Sequence, residues 1–323
     1  MKNGRKMFIL IEAVLAVMVL VVAIAMLWER RGRDMEKISV IVRNSDDSQW
    51  SAFKYGLRMA AEDQGVEMFV VSTGSEMTME EEKELIESEV DNGADAVIVQ
   101  PVPGMESQDM LQEMEKKTPV VLVGYAATED SSSGLPVVAP DNYAMGTALA
   151  EELLKDYDGN IKGRILGILS ETTDSQAILE RERGFRDVAE AEGAVVSWSV
   201  SGNFSGEAAT SIETLPSVDC VMALDDASLK AAGACSASNR LHGALVYGIG
   251  HSTEAVYYLD TGIAECLVVP DEFNVGYQSL TEISENLRSY LHGMRDRTIS
   301  HTVIRRDELF TQENQEIIFT MSQ

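Results

Sequence analysis

Ile38-Ser39-Val40-Ile41-Val42-Arg43-Asn44-Ser45-Asp46-Asp47-Ser48-Gln49-Trp50-Ser51-Ala52-Phe53-Lys54-Tyr55-Gly56 contains one strand, one polar loop and the start of one helix. The run Ile38–Val42 is apolar nearly throughout and does not alternate. That suits a strand buried on both faces of a parallel sheet. From Ser48 to Gln64 the period changes, and Phe53, Leu57, Ala60 and Ala61 fall on one helical face.

The same unit recurs along the chain. Strand candidates follow at Glu67–Val71, Ala96–Val99, Val120–Val123 and Arg164–Leu169, then at Val195–Ser199, Cys220–Ala223, Leu245–Ile249 and Glu265–Val269. Helix candidates lie between them. Thr78–Val90 opens with Thr78 and Glu81 at capping-box spacing. Asp141 can cap Asn142–Tyr157, where Met145, Leu149 and Leu153 recur every fourth residue. Alternating strands and helices imply right-handed crossovers and a doubly wound sheet. Nine strand candidates exceed one comfortable sheet, and about 285 residues exceed the usual single core. Two α/β domains of similar build follow, with the boundary expected in the Ser-, Gly- and Pro-rich stretch Ser131–Asp141. The halves are expected to share element order rather than a sequence repeat.

Upstream lies an unbroken apolar run, Phe8–Trp28, with Glu12 as its one charge. As a helix it would span about 31 Å, the thickness of a bilayer's hydrocarbon core. Ala23-Ile24-Ala25 has the small-x-small form of a signal cleavage site. However, no polar region precedes it, and the apolar run continues through Met26, Leu27 and Trp28, which favours an uncleaved anchor. No cysteine lies in residues 1–40, which closes the lipid-anchor route. Lys2, Arg5 and Lys6 on one side nearly balance Arg30, Arg31 and Arg33 on the other, so flanking charge alone does not orient the span.

The chain carries a net charge of −27, although residues 1–37 alone are basic. An acidic soluble part repels nucleic-acid phosphates and anionic membrane surfaces, so a nucleic-acid partner is excluded. Cys220, Cys235 and Cys266 form no CxxC pair and fall in or beside apolar segments, as buried free thiols do. A Cys220–Cys235 disulfide is the alternative outside the cell.

In open parallel sheets, ligands bind beyond the carboxyl ends of the strands. Those ends here carry Arg43 to Trp50, then Pro101, Gly124 and Tyr125. In the second half they carry Ser170 to Arg181, Phe204, Asp225-Asp226, Gly250-His251-Ser252 and Pro270-Asp271. Aromatics, carboxylates and an arginine together suit a polyhydroxylated ligand. Each also has a plainer reading. Trp50 can be core, Asp46, Asp47 or Asp226 can be helix caps, and the run Glu180-Arg181-Glu182-Arg183 reads by default as a solvated helix face. No histidine has metal-ligand spacing, no cofactor is called for, and no catalytic constellation emerges.

From Ile38 to Phe319 the chain resembles the type I periplasmic binding proteins, in particular the ribose-binding-like solute-binding group of sugar ABC transporters. Gln49–Gly56 after the first strand, Asp95–Pro101 and Pro119–Val123 resemble the family's first helix and its third and fourth strands. Ala139-Pro140-Asp141-Asn142 with Gly146 resembles the signature at its first crossover. Arg181-Glu182-Arg183-Gly184-Phe185 fits R-x-x-G-F, Leu224-Asp225-Asp226-Ala227 resembles its [NQ]-[ND]-D turn, and Leu309–Asn314 is similar to its terminal V-T-x-E-N.

The resemblance implies two doubly wound parallel-sheet lobes joined by three crossovers and preceded by one transmembrane helix. The anchor would be 1–37, the first lobe 38–141 plus 271–298, and the second 142–270 plus 299–323. It implies Trp50 as a sugar-stacking ring, Phe204 as a second aromatic, Arg181 as the ligand-bonding arginine and Asp225 as a hydroxyl contact. Asp47 and Tyr125 complete the candidate set. Three positions depart from the family pattern. Gly124-Tyr125 replaces an Asp-Arg pair, Gly248-Ile249-Gly250 lacks the aspartate of a G-[FY]-D turn, and Pro270 stands where glutamine is common. Missing polar contacts would leave ordinary pyranose hydroxyls unpaired at about 1–3 kcal/mol each, which points to an unusual sugar, a sugar derivative or another small polar molecule. The implied role is non-catalytic. A monomer on the cell membrane, single-pass with its soluble part outside, would pass a ligand to an ABC permease. Alternatively, it would present the bound state to a histidine kinase.

Overall fold

In a computed structural model, the described residues are Met18, 35–46, 48–74, 77–124, 134–172, 175–204, 211–289 and 293–321. From the N-terminus the strands are β1 (Lys37–Ile41), β2 (Glu67–Val70), β3 (Ala96–Val99), β4 (Val120–Val123), β5 (Val137–Pro140) and β6 (Ile165–Ser170). The rest are β7 (Val195–Ser201), β8 (Cys220–Ala223), β9 (Leu245–Ile249), β10 (Ala264–Pro270), β11 (Arg297–Ile299) and β12 (His301–Arg305). They form two six-stranded sheets of like order, β2-β1-β3-β4-β5-β11 and β7-β6-β8-β9-β10-β12. Neighbours run parallel, except that β12 is antiparallel to β10.

The helices are α1 (Ser51–Gln64), α2 (Met79–Asp91), α3 (Met105–Glu115), α4 (Asn142–Asp156) and α5 (Gln176–Ala191). After them come α6 (Asp226–Ala237), α7 (Thr253–Asp260), α8 (Glu272–Arg288) and α9 (Gln312–Met321). They cover both faces of each sheet, so β3, β4, β5 and β8 are buried at every position. On the first sheet, Val40, Ile98 and Val121 meet Phe53 and Leu57 of α1 and Leu280 and Ile283 of α8. On its other face, Val97, Val99 and Leu122 meet Ile86 of α2 and Leu111 of α3. The second sheet repeats the plan, with α4 and α5 on one face and α6 and α7 on the other. The expected α/β fold, with two wound sheets and three crossings between them, is therefore present. The crossings fall where β5 leads to α4, where β10 leads to α8, and between β11 and β12.

Local chemistry sets the helix starts. Thr78 and Glu81 form the expected capping box, with Glu81 N donating to Thr78 Oγ1 at 3.2 Å and Thr78 N to Glu81 Oε2 at 2.8 Å. Asp141 accepts from Ala144 N, and Asp271 accepts from Asn274 N.

Several expectations change. Val137–Pro140 is a fully buried strand rather than part of a linker. Its flanking prolines conceal it, yet Pro136 still supplies a carbonyl to Leu122 N at 2.8 Å. β11 and β12 were not expected either; both are edge strands rich in polar residues. Ser48–Trp50 is a 3-10 turn, and α1 begins at Ser51. The cap of α6 is Asp225, not Asp226.

A short sequence repeat is also present. Pro140-Asp141-Asn142-Tyr143-Ala144-Met145-Gly146 and Pro270-Asp271-Glu272-Phe273-Asn274-Val275-Gly276 carry the chain across at the first two crossings. In each copy the final glycine lets a neighbouring helix approach. A Cβ on Gly146 would lie 1.9 Å from Arg181 O, and one on Gly276 would lie 2.1 Å from Phe53 O.

The cysteines are free. Cys220 and Cys235 belong to clusters on opposite faces of the second sheet, which rules out the alternative disulfide. The apolar run Phe8–Trp28, apart from Met18, lies outside the described residues. Among the described residues no helix is long and apolar enough to cross a membrane.

Candidate functional site

The first crossing, the end of β8 and the start of α8 meet around Arg181. Although Arg181 belongs to a charged run, only part of that run is solvated. Arg183 is exposed, lies over the Tyr143 ring at 5.0 Å and pairs with Glu180 at 2.9 Å. Arg181, two residues earlier on the helix, turns inward. Its Nε donates to Asn142 Oδ1 at 2.9 Å and its Nη1 to Leu224 O at 2.8 Å. Burial lowers its pKa, against the opposing fields of Asp225 and then Glu272. The guanidinium thus ties three segments together: α5, the first crossing and the end of β8.

Asp225 has its oxygens engaged. Oδ1 accepts from Ser228 N at 2.8 Å and Oδ2 from Glu171 N at 2.7 Å, so the residue both caps α6 and holds the loop after β6. Asp226 Oδ1 accepts from His251 N and Ser252 N at 3.1 and 3.0 Å. A Cβ on Gly250 would lie 2.6 Å from that oxygen, so glycine is needed there for the turn to close.

On the first sheet, Trp50 is 8% exposed, meets Phe53 edge-on at 5.4 Å and donates Nε1 to Arg43 O at 3.0 Å. It belongs to the first-sheet core and fixes the Arg43 loop. Gln100 Oε1 accepts from Arg43 N at 3.0 Å, and Lys54 Nζ reaches Ser45 O at 3.0 Å. Phe204, beyond β7, packs against the α6–α7 side of the second sheet. Asp47 and Tyr125 lie outside the described residues. Of the six sequence candidates, therefore, Arg181 and Asp225 come together, while Trp50 and Phe204 belong to separate apolar clusters.

Three groups outside the six candidates stand out, of which the sequence reading missed Glu272 and named the other two only as parts of strand ends. The first is Glu272, the opening residue of α8, whose carboxylate has no hydrogen bond or ion pair among the described residues. Burial raises its pKa to about 7, Arg181 opposes that rise, and Asp271 adds to it. The repeat holds the signal that could have found Glu272, because it occupies the position that Asn142 fills at the first crossing. The second is His251 Nδ1 and the third Arg43 Nε, both buried at strand carboxyl ends without a partner. Burial also lowers the His251 pKa, against the field of Asp226. Buried polar atoms normally find partners, so this group can receive donors and acceptors from a small polar molecule. No group of His, Cys, Asp and Glu among the described residues could hold a metal ion.

A profile of the periplasmic binding protein domain matches residues 38–288. No curated protein matches the chain. Among solved structures, a carbohydrate transporter solute-binding protein from Agrobacterium radiobacter, in complex with D-arabinose, superposes with a TM-score of 0.77 at 18% identity, covering 89% of this chain and 100% of that one. GanP, a glucose-galactose binding protein from Geobacillus stearothermophilus, gives 0.73 at 19% identity over 86% and 100%. A XylFII–LytSN complex gives 0.69 at 17% identity over 85% and 99%.

Proposed function

The chain belongs to the periplasmic binding protein family, with the type I fold, and on that premise we propose that it captures a small carbohydrate-like molecule between its two sheets and delivers it to an ABC importer. The observation that carries this reading is the pair of buried, unpartnered nitrogens at strand carboxyl ends, Arg43 Nε and His251 Nδ1, together with the Glu272 carboxylate, which lies within the field of Arg181 and has no hydrogen bond among the described residues. A ligand of many hydroxyls satisfies such a set, and each pairing removes a desolvation penalty of about 1–3 kcal/mol. Similar proteins solved with D-arabinose and D-allose support the carbohydrate class. We place Arg181 as the central donor, with Asp225 fixing it and Trp50 walling the first-sheet side. Phe204, Asp47 and Tyr125 are the remaining ligand contacts we propose. The lobe boundaries we propose lie at residues 141–142 and 270–271 and at Ser300, the last between β11 of the first sheet and β12 of the second. Residues 8–28 would hold the protein to the membrane with the binding part outside the cell.

A second reading is a membrane-anchored sensor that presents its bound state to a histidine kinase. It is favoured by the likeness to XylFII, which has been solved in complex with LytSN.

A thermal-shift screen of residues 35–323 against sugars, polyols, amino sugars and nucleosides tests the binding role. A native-state ligand at a hundredfold excess over Kd adds about 2.7 kcal/mol, a shift of several degrees. No shift with any compound would end the carbohydrate reading. The two roles separate on co-purification from membranes with a permease and ATPase, or with a kinase.

A further inference from the structure

We propose that Glu272 contacts the ligand and selects one that carries a protonated amine beside its hydroxyls, an amino sugar or an aminated polyol. This rests on the binding role proposed above and names the ligand class for the same site.

Placement is the first support. Glu272 opens α8 where the chain returns from β10 to the first sheet. The next residue, Phe273, has its ring 5.4 Å from Tyr55 of α1 and also packs against the α6–α7 side of the second sheet. Glu272 therefore lies at the junction of the two sheets, on the side where Arg181 feels its charge.

Charge accounting is the second. Arg43 lies within the field of Glu82, whose carboxylate already accepts from Val102 N and Ser107 Oγ. Arg181 is answered first by Asp225, and its Nε and Nη1 are taken by Asn142 and Leu224. Asp271 beside it is occupied by Asn274. Glu272 is the carboxylate left over. A carboxylate drawn out of water and answered only by the field of a shared arginine is disfavoured. A neutral hydroxyl gives it one ordinary hydrogen bond, whereas an ammonium gives a charge-assisted one and cancels the charge. Two of the unpartnered buried atoms, Arg43 Nε and His251 Nδ1, can serve the hydroxyl end of such a molecule.

The test compares the purified full chain, by calorimetric titration, with matched pairs: D-glucosamine and D-glucose, D-galactosamine and D-galactose, N-methyl-D-glucamine and sorbitol. The N-acetylated amino sugars serve as uncharged controls. At least one amine should bind tenfold or more tightly than both its hydroxyl parent and its N-acetyl form. Glu272→Gln should remove that preference, cutting the amine's advantage over its hydroxyl parent to less than about threefold. Equal or tighter binding of the neutral sugars by the wild type overturns the inference and leaves the binding role standing. A preference that survives in Glu272→Gln overturns it as well. Should no compound of either kind bind, both fall together. The wild-type comparison stands even if the variant fails to fold.

Discussion

Where the backbones of α4 and α5 meet, Gly184 faces Tyr143 O and Gly146 faces the carbonyl oxygen of Arg181. A methyl group at Gly146 would lie 1.9 Å from that oxygen and 2.9 Å from Phe185 N, both unyielding main-chain atoms. The helix that carries the cleft arginine is thus positioned by a side chain's absence on its neighbour. Gly146→Ala is expected to force the helices apart and destabilise the protein by about 3 kcal/mol or more. Gly65 makes a useful contrast. Its φ is +63° with open space around it, so Gly65→Ala should cost only about 1 kcal/mol of backbone strain. Urea unfolding of both variants checks the difference.

Arg181→Ala should lose ligand binding and also destabilise the unliganded protein. A solvated arginine would be dispensable, but losing this one leaves Asn142 Oδ1 and Leu224 O without their donor and removes a positive field felt by Asp225 and Glu272. Breaking such a buried arrangement by removing one partner costs about 3 kcal/mol. Arg181→Lys keeps the charge but not the fork, so an intermediate loss is expected. Unfolding midpoints of the three proteins without ligand decide this.

Glu272 gives the unliganded protein a pH dependence of defined sign. Its carboxyl group titrates near 7 in the fold instead of the ordinary 4.5, because burial disfavours the anion. Below pH 4.5 it is protonated in both states and carries no penalty. Between 4.5 and 7 the unfolded chain releases the proton and the folded one keeps it, so stability falls as pH rises. Above 7 the loss is complete, on the order of 3 kcal/mol. Melts of wild type and Glu272→Gln from pH 4 to 8.5 should show the wild type losing ground with rising pH. Parallel curves would contradict the burial of that carboxylate.

Thiol chemistry should be selective. Burial pushes the Cys220 thiol up to about 11, and Cys266 also rises, chiefly through burial. Cys235, on α6, is only half-buried. Under native conditions a disulfide reagent should label Cys235 alone, and in guanidinium chloride all three. One thiol after denaturation would mean that a disulfide had formed.

The parts of this fold that could be read from sequence are those whose burial is uniform. β3, β4 and β8 are wholly enclosed, so their valines and isoleucines announce them. β11 and β12 lie at sheet edges, where one side needs no apolar partner. Arg297-Thr298 and His301-Thr302 give them no pattern to recognise. Arg181 was legible as a family position, but its burial was not, since helix α5 alternates exposed and enclosed charges within one turn. Glu272 was invisible because its character comes from burial and from an arginine on α5 far away in the chain.

The prolines of the repeat have a mechanical consequence. Pro140 pairs with Ile299 at the end of one ladder, and Pro270 pairs with His301 at the start of another. Neither can offer an N–H, so backbone pairing cannot spread past them from one sheet into the other. The two sheets stay unfused although Ser300 alone separates β11 from β12. Turning one sheet against the other then strains a few torsions and tears no rung of either ladder. A motion that soft responds to a few kcal/mol of differential contact, within reach of a handful of hydrogen bonds to a small molecule.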